Sequence, residues 1–128
     1  MLTQNEAVRT AEAPAAIGPY SQAVKAGEFL FVSGQLPADP KTGALVEGGV
    51  DAQTEQALKN LGGILQAAGL GFEHVVKTTV FMTDLSKFAQ MNEVYARRFP
   101  KVPPARATVQ VSALPKGAQV EIEAVARG

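Results

Sequence analysis

Arg106 and the nearby pair Glu121 and Glu123 are the residues of this 128-residue chain whose types and placement best suit chemistry. Pro103, Pro104 and Ala105 restrict the backbone leading into Arg106, an alternating strand follows it, and Val120-Glu121-Ile122-Glu123-Ala124 reads as a further strand. A guanidinium fork can hold a carboxylate by two parallel hydrogen bonds. A glutamate set back from that anion can manage a water or a proton. Together they point to a small-molecule site. A purely structural reading stands beside it, in which Arg106 forms a strand-borne salt bridge with one of the glutamates.

Composition narrows the classes. Twelve Lys plus Arg balance twelve Asp plus Glu, so no positive field draws a phosphate backbone or an anionic membrane, and neither is expected as a partner. With no cysteine there is no disulfide framework, thiol catalysis or cysteine zinc site. The single histidine, His74, removes the usual two-histidine metal pair, so a protein working without metal or cofactor is expected. His74 itself reads as a solvated loop residue. The start, Met1-Leu2-Thr3-Gln4-Asn5-Glu6, lacks a basic segment and apolar run, and no stretch approaches the roughly 20 apolar residues of a membrane span. A cytoplasmic protein is expected, folded as one domain over residues 1–128. Its 46% hydrophobic against 19% charged residues lean toward an oligomer.

The elements that must position the charged residues follow from periodicity. Ile17-Gly18-Pro19-Tyr20 is a turn that delivers Tyr20 in a restricted geometry. Ser21 to Ala26 and Glu28 to Gly34 read as strands joined at Ala26-Gly27. In the second, Phe29, Phe31 and Ser33 point one way and Leu30, Val32 and Gly34 the other, so a cover of helices or of another subunit is expected on each side. Residues 37–49 form a loop, and Asp51 is placed to cap a helix. In that helix Thr54, Leu58, Leu61, Leu65 and Ala68 make a buried stripe, Glu55 can pair with Lys59, and Gly62-Gly63 imply a close backbone. Val75 to Met82 is a strand. Asp84 or Ser86 opens a second helix with Phe88, Met91, Tyr95 and Phe99 as its buried face, and Ala105 to Ser112 and Gln119 to Ala126 are two more strands. The order ββαβαββ predicts an α+β fold with two helices on one face of a mixed sheet.

Strand parity sharpens the expectation. Val120, Ile122, Ala124 and Ala126 share one face, which should lie under the helices. Glu121, Glu123, Val125 and Arg127 share the other. If Ala107, Val109 and Val111 are likewise helix-facing, then Arg106, Thr108, Gln110 and Ser112 join the glutamates on the helix-free face. Arg106 and a glutamate would then line a cleft between chains.

Several segments together resemble the YjgF/RidA family of enamine/imine deaminases: Ala13-Pro14-Ala15-Ala16-Ile17-Gly18-Pro19-Tyr20-Ser21-Gln22-Ala23, Val32-Ser33-Gly34-Gln35-Leu36-Pro37, Val76-Lys77-Thr78-Thr79-Val80-Phe81, Asp84-Leu85, Met91-Asn92-Glu93-Val94-Tyr95, Pro104-Ala105-Arg106 and Val120-Glu121-Ile122-Glu123-Ala124. They run in family order over nearly the whole chain. The resemblance implies a chorismate-mutase-like ββαβαββ fold assembled as a homotrimer, with sites between subunits. It also implies that Arg106 grips the carboxylate of a 2-imino acid such as the tautomer of 2-aminoacrylate, that Glu121 orients or activates water, and that a 2-keto acid and ammonia leave. Tyr20, Ser33 and Asn92 fall on family site positions and should shape the pocket, while Glu123 has no assigned role. Where the family often has cysteine, this chain has Thr108, whose backbone N–H can still serve the carboxylate. Phe29, Phe31, Phe88 and Tyr20 are candidates for the pocket wall. Two other activities fit less well: RNA cleavage, for want of a basic stripe, and binding of a 2-keto acid as a sensor, which has no use for Glu121.

Overall fold

Alternating apolar segments form six strands: β1 (Glu6–Val8), β2 (Ala23–Ala26), β3 (Phe29–Gln35), β4 (Val75–Met82), β5 (Ala105–Gln110) and β6 (Val120–Arg127). The helical stripes form α1 (Val50–Ala67) and α2 (Phe88–Ala96). The computed structural model describes residues 4–128; Met1, Leu2 and Thr3, in the segment read for a secretory signal, lie outside the described residues. The strands make one sheet in the order β1-β2-β3-β6-β4-β5. All neighbours are antiparallel except β4 and β5, whose parallel pairing requires a crossover, which α2 supplies. This is the expected α+β mixed sheet with one addition: β1 pairs with β2, and Glu6-Ala7-Val8 is too short to show a period.

The core lies between α1 and the sheet. Leu58, Leu61, Ile64 and Leu65 of α1 are fully buried with Leu30, Val80, Val120, Ile122 and Ala126. Burying such a side chain contributes roughly 1.5–3 kcal/mol each. Gly63 meets the expected close backbone: a Cβ there would stand 2.7 Å from the carbonyl oxygen of Glu12. At Gly62 the neighbour is instead the Phe72 ring, 2.9 Å from the corresponding point.

Two local expectations are corrected. Asp51 does not cap α1; the helix starts at Val50 after Gly49, and Asp51 lies in the first turn, where its charge still complements the helix dipole. Glu55 pairs with Arg98 instead of Lys59, because the end of α2 brings a guanidinium beside it while Lys59 stays exposed. At the second helix Asp84 accepts a hydrogen bond from the Ser86 N–H at 2.9 Å, capping a short 3-10 turn, Leu85–Lys87, that runs into α2. His74 accepts a hydrogen bond from the Gly71 N–H at 3.0 Å through Nδ1, a turn-stabilising contact.

Parity holds on β6 and fails on β5. Val120, Ile122, Ala124 and Ala126 are buried as expected. On β5, however, Arg106 is the register partner of Thr78 and Thr108 that of Val80, and both β4 residues are fully buried on the helix side. Arg106 and Thr108 therefore face the helices, while Ala107 and Val109 turn to the helix-free face, where Val109 is 40% exposed. β5 is an edge strand, so apolar character does not decide its orientation. Register with β4 does, and α2 meets the polar set with matching groups. The helix-free face is largely apolar and uncovered in one chain, with Phe31 49% exposed.

Candidate functional site

The edge of the sheet holds Arg106 under α2. Residues 88, 92 and 95 are spaced so that they share one face of that helix, and all three reach the guanidinium. Arg106 Nη1 donates a 2.8 Å hydrogen bond to Asn92 Oδ1. Its Cζ sits 4.7 Å over the Tyr95 ring and 5.4 Å from the Phe88 centroid. No carboxylate pairs with Arg106 among the described residues, which excludes the strand-borne salt bridge with Glu121 or Glu123. A cavity of about 410 Å³ opens beside it, lined by Asn92, Tyr95, Ala96, Phe99, Pro103, Pro104 and Arg106. A cation held by neutral groups at the mouth of a hollow of mixed polar and apolar lining is suited to an incoming carboxylate.

Beneath the guanidinium, Tyr95 Oη and Thr78 Oγ share a buried 2.7 Å hydrogen bond. Burial raises the Tyr95 pKa; the bond to Thr78 and the charge of Arg106 oppose the shift. The Thr108 hydroxyl, next on the same face of β5, is buried and has no hydrogen-bond partner among the described residues.

The remaining expected residues gather elsewhere. Ser33 Oγ donates to the Ser21 carbonyl at 2.6 Å and the Ser33 N–H to the Gln22 carbonyl at 3.0 Å, so the segment carrying Tyr20 lies along the end of β3. Tyr20 is 54% exposed, and its hydroxyl accepts from the Ile17 N–H at 3.3 Å. Gly34 packs against Glu121 so closely that a Cβ on residue 34 would lie 2.2 Å from Glu121 Oε2. Burial raises the Glu121 pKa, and the charge of Glu123 adds to it, so the carboxylate takes up a proton more readily than an ordinary glutamate.

The structure thus places Arg106, Asn92 and Thr108 on one side of the sheet, and separately sets the segment bearing Tyr20 beside Ser33 and Gly34 beside Glu121. The expectation that Arg106 shares a face with the glutamates is wrong: Thr78 pairs with both Arg106 and the buried Ala124, whereas Glu121 pairs with Phe81 on the opposite face. Sequence reasoning assigned Tyr95 to the core and overlooked its contact with Arg106. The signal was present, since Asn92 falls on the same helical stripe as Phe88 and Tyr95. No group of three or more metal-ligating side chains stands together, and no helix is long and apolar enough to cross a membrane, among the described residues.

Comparison with known proteins gives a consistent picture. The family described as Endoribonuclease L-PSP matches residues 10–127. Protein DfrA of Myxococcus xanthus is 57% identical over 123 residues, covering 94% of each chain. A human protein named 2-iminobutanoate/2-iminopropanoate deaminase is 55% identical over 119 residues, 93% of this chain and 87% of that protein. The crystal structure of RidA from an Antarctic Psychrobacter superposes with a TM-score of 0.92 at 50% identity, over 96% of this chain and 99% of that one.

Proposed function

The chain belongs to the Endoribonuclease L-PSP family, the YjgF/RidA proteins, and from that premise we propose that it is an imine deaminase. Its substrates are reactive 2-imino acids and their enamine tautomers, which it hydrolyses to 2-keto acids and ammonia. The observation that carries this reading is Arg106, held by Asn92, Tyr95 and Phe88 with its charge unpaired by any acid among the described residues. The similarity to the human deaminase supports it.

The chemistry needs positioning and one base. A protonated imine carbon is already electrophilic. Arg106 binds the substrate carboxylate by charge-assisted hydrogen bonds worth roughly 1.5–3 kcal/mol. Glu121 takes a proton from the attacking water, a contribution of roughly 10²- to 10⁴-fold. The C–O bond forms; Glu121 returns the proton to the amine nitrogen of the tetrahedral adduct; the C–N bond breaks as the adduct's hydroxyl gives up its proton, and nitrogen leaves as ammonia. Thr108 supplies backbone hydrogen bonding near the carboxylate, while Tyr20 and Ser33 shape the side on which water approaches.

Because Arg106 and Glu121 lie on opposite faces of one sheet, the site is completed by a second copy: Arg106, Asn92 and Thr108 come from one chain, and Glu121, Ser33 and Tyr20 from its neighbour. The uncovered apolar face, with Phe31 and Val109, supports association as a homotrimer. A cytoplasmic, single-domain protein spanning 1–128 and working without metal or cofactor is proposed with it. The family description names an endoribonuclease, but a chain with twelve cations and twelve anions lacks the field that holds a phosphate backbone, so RNA is not proposed as substrate.

The test generates 2-aminoacrylate or a longer imino acid in place with an amino-acid dehydratase or oxidase and follows semicarbazide trapping. Faster loss of the imine, abolished in Arg106→Ala, supports the deaminase. No acceleration across several side chains, with tight 2-keto acid binding, would leave a sensor.

A further inference from the structure

We propose that Tyr95 is a positioning residue for this site: its ring is the shelf that sets the plane of the Arg106 guanidinium, and its hydroxyl pins that shelf to Thr78. This rests on the reading of Arg106 as the carboxylate clamp.

Tyr95 is 5% exposed, and the other buried residues of α2, Met91 and Val94, are apolar, so packing alone would be served by phenylalanine. A buried phenol is costly to keep unless its hydroxyl is bonded. Here it is bonded, to Thr78, and Thr78 is the register partner of Arg106 on the adjoining strand. The ring also packs against Phe99, with centroids 4.7 Å apart, which limits its freedom to turn. Arg106 lies 4.7 Å above its face. A guanidinium turns about its last side-chain bonds unless both its plane and one end are held. Asn92 holds an end, and Tyr95 holds the plane. The strand β4, which sets the register of the arginine's strand, and the helix that orients the guanidinium are thereby locked together at one point, Thr78 Oγ to Tyr95 Oη. A carboxylate meeting the fork finds the two N–H groups already aligned and loses little freedom in fixing them.

The experiment measures KM and kcat for imine hydrolysis, affinity for 2-oxobutanoate by calorimetry, and Tm, in wild type, Tyr95→Phe, Tyr95→Leu, Thr78→Val and Arg106→Lys. Loss of the ring in Tyr95→Leu is expected to raise KM and the 2-oxobutanoate Kd about tenfold while kcat changes less than about twofold. Tyr95→Phe and Thr78→Val, which keep the ring and lose the pin, should each raise KM by a smaller and equal factor. In an Arg106→Lys background the Tyr95→Leu change should add little, because there is no planar fork left to align. If Tyr95→Leu lowers Tm but leaves KM and Kd untouched, or if its effect adds fully to that of Arg106→Lys, the residue only packs and the inference falls. Should Tyr95→Leu not fold, unequal effects of Tyr95→Phe and Thr78→Val, or none on KM, overturn it equally. An Arg106→Lys variant that binds 2-oxobutanoate as wild type does would instead remove the clamp reading itself, and this inference with it.

Discussion

Arg106 and Glu121 stand on opposite faces of the same sheet. Thr78 fixes one side: it is buried under α2, pairs with Arg106 on β5, and pairs with the buried Ala124 on β6. Phe81 fixes the other, pairing with Val109 and Glu121. No side-chain rotation carries a glutamate through a sheet, so the proposed joint action of Glu121 and Arg106 on one ligand calls for two chains.

Subunit mixing follows directly. Arg106→Ala and Glu121→Gln should each be nearly inactive alone. Dissociated and reassembled together, they should regain activity, because some interfaces then pair an intact Arg106 with an intact Glu121 from different copies. The measurement is imine turnover before and after subunit exchange, and a mixture no better than its inactive components would contradict a site shared between chains.

With Glu121 as the proposed base, its raised pKa should set the acid limb of the pH profile. As a base it must be ionised, so kcat should fall with decreasing pH through a value above the ordinary 4.5 of a glutamate. Burial is the larger cause and Glu123 the smaller, so Glu123→Gln should move that limb to lower pH without abolishing the shift. Stability has the opposite sign. An acid whose folded pKa is raised stabilises the fold below its unfolded pKa and loses that contribution as pH rises through the folded pKa. Glu121→Gln should therefore be somewhat more stable than wild type near neutral pH, with the difference vanishing in acid, as thermal melts across pH would show.

Gly34 offers a way to displace the proposed base, Glu121, without removing it. A methyl group on residue 34 would sit 2.2 Å from Glu121 Oε2, so in Gly34→Ala the carboxylate must move while the strand remains. Turnover is expected to drop by about 10²-fold, the scale attached to a misplaced catalytic group. The Kd for 2-oxobutanoate, which is proposed to rest on Arg106, should change much less. Equal losses in both quantities would mean that Glu121 helps to bind the ligand.

What was legible in the sequence depended on how strongly burial constrained each segment. β6 is a central strand with one covered face, so Val120, Ile122, Ala124 and Ala126 declared their orientation. Gly63 announced the nearby Glu12 backbone for a similar reason: only glycine fits there. β5 is an edge strand whose polar residues find partners on α2, so its apolar residues gave the wrong face. Glu55 was drawn to Arg98 by tertiary contact, which a helical spacing rule cannot see. At the site, the family resemblance marked Arg106, Asn92 and Glu121, but their division between two faces is set by the β4 register. Tyr95 was hidden because an aromatic at helical spacing reads as core. It is core, and it also touches Arg106.

Gln22 decides whether the segment bearing Tyr20 stays in place. It is buried; its Oε1 accepts from the Thr10 N–H at 2.7 Å, and its Nε2 donates to the carbonyls of Thr10, Ala13 and Pro14 at 3.0, 3.3 and 2.9 Å. One side chain thus satisfies four backbone groups of a stretch with no sheet partner of its own there. Replacing it by leucine keeps the volume and strands those groups, with each unmet buried group costing about 1–3 kcal/mol. Some of them regain water as the arm loosens, so Gln22→Leu is expected to destabilise the fold by about 2–4 kcal/mol in denaturant titration. Hydrogen exchange should show the loss concentrated at residues 10–20, with the α1 core protected. Because Tyr20 lies at the end of that arm, kcat should fall with it, whereas the Arg106 cradle beneath α2, built from other elements, should keep its 2-oxobutanoate affinity. A uniform rise in exchange across α1 and the sheet would instead make Gln22 part of the global core.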